Sequence, residues 1–422
     1  MSKHIFTGFG FGPIQGGLFV DEAYASGNFS RIVIAEIDQK LVDAVRANGG
    51  SYAVNIARRD RIDVVNIHNI ELLNPNVEDD RNKLVAVLGQ STEIVTSLPS
   101  VAFYEAGANS VVSLITQGLQ KSTADATIIY TAENNNHAAE ILKQVVAKKM
   151  DKPLAKRVQF LNTVIGKMSQ VVTDPTEIAQ KKLVPITPGI DRAFLVEEFN
   201  RILVTRCTIA DFTPGIGVFL EKDDLLPFEE AKLYGHNAIH ALLAYLGAVK
   251  GYTSMTQLQQ DTALMKIARD AFLNESGAAL IKKHRLLNDE LFTPAGYRAY
   301  AEDLLVRMTN PYLNDTIERA GRDPVRKLGY DDRIFGTMHL AIEQGIAPMN
   351  MAIGALAGIK TLLKNAEINK VPTELRFDLS NLDAAKIKSI CEWLWRGKSG
   401  LYADKMIKCV QKAGVILTIV AK

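Results

Sequence analysis

Three polar side chains with the capacity for acid–base chemistry lie close together between residues 232 and 240. Lys232, Asn237 and His240 stand at the start of an apolar, helix-like segment that continues to residue 248. At about 100° per residue of an α-helix, Asn237 lies roughly 140° and His240 roughly 80° around the helix from Lys232. A lysine that is desolvated there can lose enough basicity, from a pKa of about 10.4, to act as a general base. The alternative is an ordinary amphipathic helix with a solvated lysine and two packing polar residues.

Glycines near the amino terminus indicate a second kind of chemistry, the binding of a dinucleotide. A short apolar strand leads into the glycine-rich run 8–17, a helical pattern follows, and the next strand, 31–38, carries Glu36 near its end. In a dinucleotide-binding βαβ unit the glycines form a tight turn against the pyrophosphate, and such an acid binds the ribose hydroxyls. Glu36 predicts NAD rather than NADP, because its carboxylate would repel a 2′-phosphate.

The first half of the chain alternates between strand-like and helix-like segments. This alternation predicts a parallel sheet with helices on both faces. Residues 52–67 alternate like a hairpin or an insertion at the edge of the sheet, and residues 158–166 and 194–207 are predicted strands that could extend it. Residues 106–119 and 138–148 have helical periodicity.

After Pro227 the sequence changes to segments with helical periodicity and few strand signals. We therefore predict an α/β fold, with a Rossmann-type NAD-binding domain with added strands over residues 1–222 and a mainly α-helical substrate and catalytic domain over residues 223–422. The predicted helices of the second domain cover residues 229–246, 261–273, 294–308, 331–343, 350–363 and 384–395.

Composition limits the function classes that fit this chain. The 422 residues carry a net charge of +2, without the basic excess of surfaces that bind nucleic acid or anionic membranes. The three cysteines are scattered, which is typical of the reducing cytosol, and we expect a cytoplasmic protein. The seven histidines do not have the spacing of metal ligands and the HExxH pattern is missing, so the sequence predicts no metal site.

The order of these motifs resembles a known family. The glycine turn, the acid of strand two, Ala132-Glu133-Asn134, the KxxxxNxxH pattern from Lys232 to His240 and the helical second half resemble the polyol-specific long-chain dehydrogenases. Within that family the chain is most similar to the branch of the mannitol-1-phosphate 5-dehydrogenases. The resemblance is densest from Lys232 to Arg333, where it includes the runs Glu275–Ile281, Asn310–Asp315 and Glu318–Leu328.

The resemblance implies a zinc-independent, NAD(P)-linked oxidation of a secondary alcohol with Lys232 as the general acid/base. It makes Asn237 and Asn134 the amides that hold the reacting oxygen, and His240 a ligand of a substrate hydroxyl. The chemistry agrees, because the hydroxyl proton must leave as the hydride does and amide donors stabilise the developing alkoxide. Without the resemblance, Asn134 is better explained as a turn residue of the polar loop 133–137. The candidate cofactor-binding residues are Gly8, Gly10, Gly12, Pro13, Ile14, Gln15, Gly16, Glu36, Pro99 and Glu133.

Cationic residues after position 318 predict a phosphorylated substrate, because arginine forks bind phosphate oxygens bidentately. Arg326, Lys327 and Arg333 are the candidate phosphate ligands. Arg326 and Lys327 are favoured first, since they lie in the segment that resembles the sugar-phosphate branch. The alternative is a solvated helix face with salt bridges to Asp323, Asp331 and Asp332. We favour it for Arg319 and consider it for Arg322.

The chain departs from the family pattern at two places. Gln15 stands where the third glycine of the turn is usual, and Gly8 adds an earlier glycine. Gly166-Lys167 stands where relatives commonly carry an Asp-Arg pair after a strand. The first departure concerns the cofactor turn, and the second concerns the substrate and the level of activity.

We therefore expect an NAD-dependent dehydrogenase that interconverts D-mannitol 1-phosphate and D-fructose 6-phosphate or a near neighbour. One alternative is a dehydrogenase of an unphosphorylated polyol or a hexuronate that uses the same lysine helix. Another is a nucleotide-binding regulator that kept the fold and lost turnover. Its partner should be the small-molecule substrate, without nucleic acid or membrane, and we expect a monomer or a weak oligomer.

Overall fold

In the computed structural model the chain divides after Leu226 into two compact units. The structure describes residues 4–379 and 382–420. The remaining residues of the two predicted domains, 1–3, 380, 381, 421 and 422, lie outside that description. Within the described residues, no helix is both long and apolar enough to cross a membrane.

The first unit contains an eight-stranded sheet. Six adjacent strands of this sheet, from β5 at one edge to β8, are parallel to one another, and one of them, β1, precedes the glycine turn. The strand order is β12-β11-β8-β7-β6-β1-β2-β5, and only the pair β8–β11 is antiparallel. The strands of this sheet are β1 His4–Phe9, β2 Phe29–Ala35, β5 Ile70–Leu73, β6 Glu93–Thr96, β7 Thr127–Thr131, β8 Val158–Ile165, β11 Ile202–Thr205 and β12 Phe219–Lys222.

The order β5-β2-β1-β6-β7-β8 is that of a doubly wound dinucleotide-binding sheet, 3-2-1-4-5-6. In such a sheet the ligand binds outside the carboxyl ends of the strands, where the order reverses between β1 and β6. The predicted α/β class with a Rossmann-type first domain is confirmed. The sheet is central to two apolar clusters. One includes Leu18, Val54 and Phe194, and the other includes Leu84, Ile115 and Leu142.

A second, four-stranded sheet corrects the expectation that residues 52–67 attach to the edge of the main sheet. The predicted hairpin is present as β3 Tyr52–Ala57 and β4 Ile62–Ile67, which pair antiparallel. It forms a separate sheet of order β4-β3-β10-β9 with β9 Ser169–Val172 and β10 Ala193–Glu197. The predicted strand 194–207 is thus two strands in two sheets, because β10 pairs with β3 whereas β11 pairs with β8.

The helices of the first unit lie between its strands. The helix predicted from residue 106 begins only at Val111, where the Ser110 hydroxyl accepts a hydrogen bond from the Ser113 amide at 3.3 Å. These helices are α1 Val20–Ser26, α2 Gln39–Ala47, α3 Glu78–Leu88, α4 Val111–Gln120, α5 Ala138–Lys149 and α6 Pro175–Gln180, with a 3₁₀ turn at Val101–Glu105 and a π-helical segment at Gln15–Phe19.

The second unit is helical, as predicted. Two of its helices are interrupted by π-helical segments, Ala231–Asn237 and Ala271–Gly277, which an α-helical pattern does not predict. Its helices are α7 Leu226–Glu230 at the boundary, α8 Ala238–Lys250, α9 Thr262–Asp270, α10 Ala278–His284, α11 Pro294–Met308, α12 Ile317–Gly321, α13 Pro324–Lys327, α14 Arg333–Glu343, α15 Met349–Lys364, α16 Ala384–Leu394 and α17 Leu401–Val420, with 3₁₀ turns at Met255–Gln260, Glu290–Phe292 and Thr373–Leu375.

The long helix α17 was not among the predicted elements. Its buried positions Met406, Val410, Ala413 and Leu417 follow the three-or-four spacing of an amphipathic helix. This face packs on α15, which is buried along most of its length. The second unit therefore has its own core, built around α8 and α15, and α8 carries the predicted site residue His240.

Candidate active site

The glycine turn follows β1 at the carboxyl edge of the main sheet. Gly10 has a φ of +82°, and a Cβ atom there would lie 2.8 Å from the carbonyl oxygen of Ser97, so this position requires glycine. A Cβ atom on Gly12 would meet nothing within 4 Å. The backbone at Gly12 is thus open to the close approach of a phosphate, next to the amino end of the following helix.

Glu36 joins the end of β2 to the glycine turn through three backbone amides. Its Oε2 atom accepts from the Phe11 amide at 2.8 Å, and its Oε1 atom accepts from Ile37 at 2.7 Å and from Asp38 at 2.8 Å. These bonds fix the carboxylate where the fold binds the adenosine ribose. Arg192, distant in sequence, pairs with Asp38, and this hydrogen bond lowers the pKa of the Asp38 carboxyl.

The departures at Gly8 and Gln15 compensate each other. The Gln15 side chain is fully buried and lies across β1, where a Cβ atom on residue 8 would be 1.8 Å from its Nε2 atom. Gly8 is therefore needed to accommodate Gln15. Gly16 allows the close packing of the helix, because a Cβ atom at this position would lie 2.9 Å from the Phe194 ring. Within the described part of the chain, neither amide atom of Gln15 has a hydrogen-bond partner.

Glu133 follows β7, and its carboxylate is engaged by protein donors. It accepts from the Tyr104 hydroxyl at 2.5 Å, from the Leu98 amide at 2.9 Å and from the Thr96 hydroxyl at 2.9 Å. Burial raises the pKa of Glu133. These contacts hold the start of the loop that contains the exposed Pro99, and the cofactor role of Glu133 stays a prediction.

The remaining candidates of the first unit lie at the surface. Pro13 and Ile14 are partly exposed and precede the π-helical segment of the glycine turn, and Asn134 is exposed after β7. The turn there is closed by Asn135, whose side-chain oxygen accepts from the His137 amide at 2.9 Å. Both roles considered for Asn134, the turn residue and the amide donor, stay predictions.

The Gly166-Lys167 departure directly follows β8. Lys167 is buried and lies close to Asp21 on α1. Burial and the neighbouring Glu22 raise the pKa of Asp21 to about 6, while the charge of Lys167 acts in the opposite direction. The lysine therefore belongs to a charged group with α1 inside the first unit.

The lysine helix of the second unit does not have the α-helical geometry assumed from the sequence. Residues Ala231–Asn237 are π-helical, so backbone hydrogen bonds span five residues rather than four. Residues five apart then stack as residues four apart do in an α-helix. Asn237 is therefore closer to Lys232 around the helix axis than an α-helix would place it, and the expected separation of roughly 140° is wrong.

The π-helical turn is held by side chains from two neighbouring helices. The carbonyl oxygen of Tyr234 accepts from the Ser276 hydroxyl at 2.7 Å and from the Thr337 hydroxyl at 3.2 Å. A Cβ atom on Gly235 would lie 2.7 Å from the Tyr297 hydroxyl, so a larger residue would push this turn outward. Local sequence spacing gives no signal for these contacts, because the partners are distant along the chain.

Lys232 has the lowered basicity that a general base requires. Burial first and the nearby charge of Arg333 second lower its pKa to about 8, while Glu229 acts to raise it. His236, on the same π-helical turn, is buried, and burial lowers its pKa well below the ordinary value. With a pKa of about 8, the Lys232 amine is unprotonated in a useful fraction of molecules near neutral pH.

His240 is bound to a carboxylate that the sequence did not single out. Its Nε2 atom lies 2.8 Å from Oδ2 of the buried Asp315, and Oδ1 of Asp315 accepts from Arg319 at 2.6 Å. Burial alone would raise the pKa of Asp315, but His240 and Arg319 together lower it to about 2. Arg319 thus forms a salt bridge within the fold, as the sequence analysis favoured, but its partner is Asp315. Asp315 ends a run that resembles the family, although its pairing over 75 residues had no local signal.

The three candidate phosphate ligands have different surroundings. The half-exposed side chain of Arg326 pairs with Asp323 at 2.6 Å. Lys327 is buried and donates to the Ala320 carbonyl at 2.5 Å, and burial and the surrounding arginines lower its pKa to about 7. Arg333 has only 13% of its side chain exposed and bonds Asp332 at 2.8 Å. Because Arg333 also perturbs Lys232, it is the candidate that shares the environment of the proposed base.

Among the described residues there is no group of three or more His, Cys, Asp or Glu side chains that could hold a metal ion. The cofactor-binding candidates lie in the first unit and the proposed base lies in the second.

Comparison with known proteins gives consistent relatives for both units. Residues 224–374 match the family described as mannitol dehydrogenase C-terminal domain. Mannitol-1-phosphate 5-dehydrogenase of Buchnera aphidicola subsp. Acyrthosiphon pisum (strain APS) is 28% identical over 390 residues, covering 91% of this chain and 93% of the relative. The protein of the same name from strain 5A is 28% identical over 393 residues, with the same coverage.

Two solved structures share the fold over 99% of the chain. A substrate-free D-sorbitol dehydrogenase has a TM-score of 0.77 at 16% identity and is covered over 93% of its length. Pseudomonas fluorescens mannitol 2-dehydrogenase, in a complex with NAD and D-mannitol, has a TM-score of 0.65 at 16% identity and is covered over 94%. The resemblance predicted from the sequence is thereby confirmed: residues 224–374 match the mannitol dehydrogenase C-terminal domain, and the chain is similar in sequence to mannitol-1-phosphate 5-dehydrogenases and in fold to a sorbitol and a mannitol dehydrogenase.

Proposed function

We propose that this chain is an NAD-dependent polyol-phosphate dehydrogenase that interconverts D-mannitol 1-phosphate and D-fructose 6-phosphate. The observation that carries the proposal is Lys232, whose pKa is lowered to about 8 on a π-helical turn beside Asn237 and Arg333. The names of the curated relatives, mannitol-1-phosphate 5-dehydrogenase, support the substrate.

The residues of the cofactor turn fit NAD. Gly12 leaves its backbone open, the helix that begins at Gln15 presents its amino end, and Glu36 is fixed by three amides at the end of β2. NAD, when bound, supplies the acceptor for the hydride. A carboxylate at the position of Glu36 binds two ribose hydroxyls and repels a 2′-phosphate, which favours NAD over NADP.

The second unit supplies the proton chemistry. The unprotonated amine of Lys232 takes the proton of the reacting hydroxyl, and in the reverse direction its ammonium form returns it. The Asn237 amide, one π-helical turn away, donates to the oxygen as alkoxide character develops. His240 binds a further hydroxyl of the polyol. Asn134 of the first unit is proposed as a second amide donor, and this role stays a prediction.

The cationic side chains near the base supply the preference for a phosphorylated substrate. Arg333 is favoured as the principal phosphate ligand, because its guanidinium is mostly buried and lies in the environment of Lys232. Arg326 already pairs with Asp323 at the surface, and Lys327 donates to a backbone carbonyl. These contacts give Arg326 and Lys327 a supporting role, through the positive charge that they add nearby.

Replacement of the lysine tests the proposed chemistry. Lys232→Ala should lower kcat by about 100- to 10,000-fold while NADH affinity stays close to that of the wild type. The exposed Lys266, which pairs with Asp270 on its own helix, provides the matched control Lys266→Ala. If Lys232→Ala retains more than about a tenth of wild-type kcat, Lys232 is not the base.

Substrate comparison tests the phosphate. NADH formation is followed with mannitol 1-phosphate, glucitol 6-phosphate, pentitol phosphates, free polyols and hexuronates. Arg333→Gln should lower kcat/KM by about 10- to 150-fold more for the phosphorylated polyol than for free mannitol. The change in the pKa of Lys232 affects both substrates, whereas only the phosphate loses charge-assisted contacts of about 1.5–3 kcal/mol. The half-exposed Arg326→Ala is the matched control and should have the smaller effect.

The second candidate function is a dehydrogenase of an unphosphorylated polyol or a hexuronate. It is favoured by the engagement of Arg326 and Lys327 with protein groups. Faster turnover of free polyols or hexuronates than of phosphates by the wild-type protein would select this function. Absence of turnover with every substrate would instead select the nucleotide-binding regulator.

A further inference from the structure

Asp315 has hydrogen-bond partners that leave it no freedom of orientation. Its carboxylate is 4% exposed, with Oδ2 at 2.8 Å from Nε2 of His240 and Oδ1 at 2.6 Å from Nε of Arg319. Its own carbonyl oxygen accepts from the Met255 amide at 2.9 Å, and the next residue, Thr316, caps α12 by accepting from the Arg319 amide at 3.1 Å. The carboxylate is therefore held on both sides by residues fixed in the fold.

The charge of this group decides which nitrogen of His240 carries the proton. Asp315 is ionised and can only accept hydrogen bonds, whereas the guanidinium of Arg319 can only donate. The Nε2 atom of His240 must then be a donor to Asp315. In the neutral imidazole the other nitrogen, Nδ1, is left as an acceptor.

We propose that Asp315 is a positioning residue that holds His240 in the Nε2–H tautomer, so that Nδ1 accepts a hydrogen bond from a substrate hydroxyl. The inference rests on the proposed polyol dehydrogenase function and assigns a specificity role within that site. Asn237 and Arg333 present donors, and a protonated Lys232 does the same. A ring nitrogen fixed as an acceptor therefore selects a ligand group that donates, which a polyol hydroxyl does and a ketone or ether oxygen does not.

Asp315→Asn tests the assignment, because the amide cannot accept hydrogen bonds from both neighbours with two separate oxygens, as the carboxylate does. Arg319 requires an acceptor, so the amide oxygen of the variant turns to Arg319 and its NH₂ group turns to His240. The Nε2 atom must then accept, and the proton moves to Nδ1. In the double variant with Arg319→Met this constraint is gone, the amide can rotate, and the Nε2–H tautomer returns.

NMR of the imidazole nitrogens reads the tautomer directly, with the His240 signal assigned by its loss in His240→Gln. We expect Nε2–H in the wild type, Nδ1–H in Asp315→Asn and Nε2–H again in the double variant. The kcat/KM for the polyol should fall by about 10- to 100-fold in Asp315→Asn and recover in part in the double variant.

Two results overturn the inference: an Nδ1–H tautomer in the wild type, or an activity loss in Asp315→Asn with the Nε2–H tautomer unchanged. The wild-type spectrum decides the assignment even if a variant does not fold. The tautomer is read without substrate, so it separates this inference from the proposed function. A wild-type protein inactive on every polyol refutes the function and, with it, the hydroxyl as the ligand of Nδ1.

Discussion

Replacing Arg333 with glutamine should move the pH dependence of turnover to more alkaline values. Arg333 is the second cause, after burial, of the lowered pKa of Lys232. Removing the guanidinium charge makes the ammonium form of Lys232 less unfavourable, so its pKa should rise. The base is then unprotonated only at higher pH, and kcat for polyol oxidation falls at neutral pH.

The size of the effect is limited by the total shift in the pKa of Lys232. With a pKa of about 8 instead of 10.5, about one Lys232 amine in ten is unprotonated at pH 7, against about one in 3,000 for an unperturbed lysine. The whole shift thus changes the population of the base about 300-fold. Burial is the larger cause and persists in the variant, so Arg333→Gln should lose only part of this factor.

The assay measures kcat for NADH formation between about pH 6 and pH 10 at saturating substrate, where the profile reports the pKa of the base in the bound complex. Glu229→Gln is the matched variant of opposite sign, because Glu229 acts to raise the pKa of Lys232. Its midpoint should move below the wild-type value, which we expect near pH 8. Midpoints that move in the same direction in both variants, or in neither, refute the assignment of the profile to Lys232.

Three further predictions concern the first unit. Gly8→Ala should lower the free energy of unfolding, measured by denaturant titration, by about 1–3 kcal/mol, because the added methyl group clashes with Gln15. Adding Gln15→Gly should restore most of this loss, and a double variant no more stable than Gly8→Ala contradicts the compensation. Glu36→Ser should reduce the ratio of kcat/KM for NAD to that for NADP, and equal values in the wild type count against the role of Glu36. Burial raises the pKa of the fully buried Glu93 to about 7. Between about pH 4.5 and pH 7 the folded state therefore keeps a proton that the unfolded state has released, and the free energy of unfolding falls as the pH rises through this window. Relative to Glu93→Gln, the wild type should lose about 2–3 kcal/mol between pH 5 and pH 8, and parallel stability profiles of the two proteins contradict this.

Elements with a strong local pattern were predicted well. The helix α11 has the predicted bounds 294–308, because Thr293 caps it and Pro294 occupies its first turn, both of which are local signals. The strand β5 was missed, since its four residues are too few to show a period. Local patterns also do not predict which sheet a strand joins. The strand β10 pairs with β3, more than a hundred residues away in the sequence, and this pairing places β10 in a different sheet from β11.

The sequence by itself determined the glycine turn after β1 and the place of Glu36 at the end of β2, and it predicts acid–base chemistry for Lys232, Asn237 and His240. These signals are local, because a turn and one helix bring their own residues together. Only the tertiary structure decided the helical register of the lysine turn and the carboxylate on His240. Both depend on hydrogen bonds from helices far along the chain, whose positions are set by burial of apolar faces rather than by spacing in the sequence.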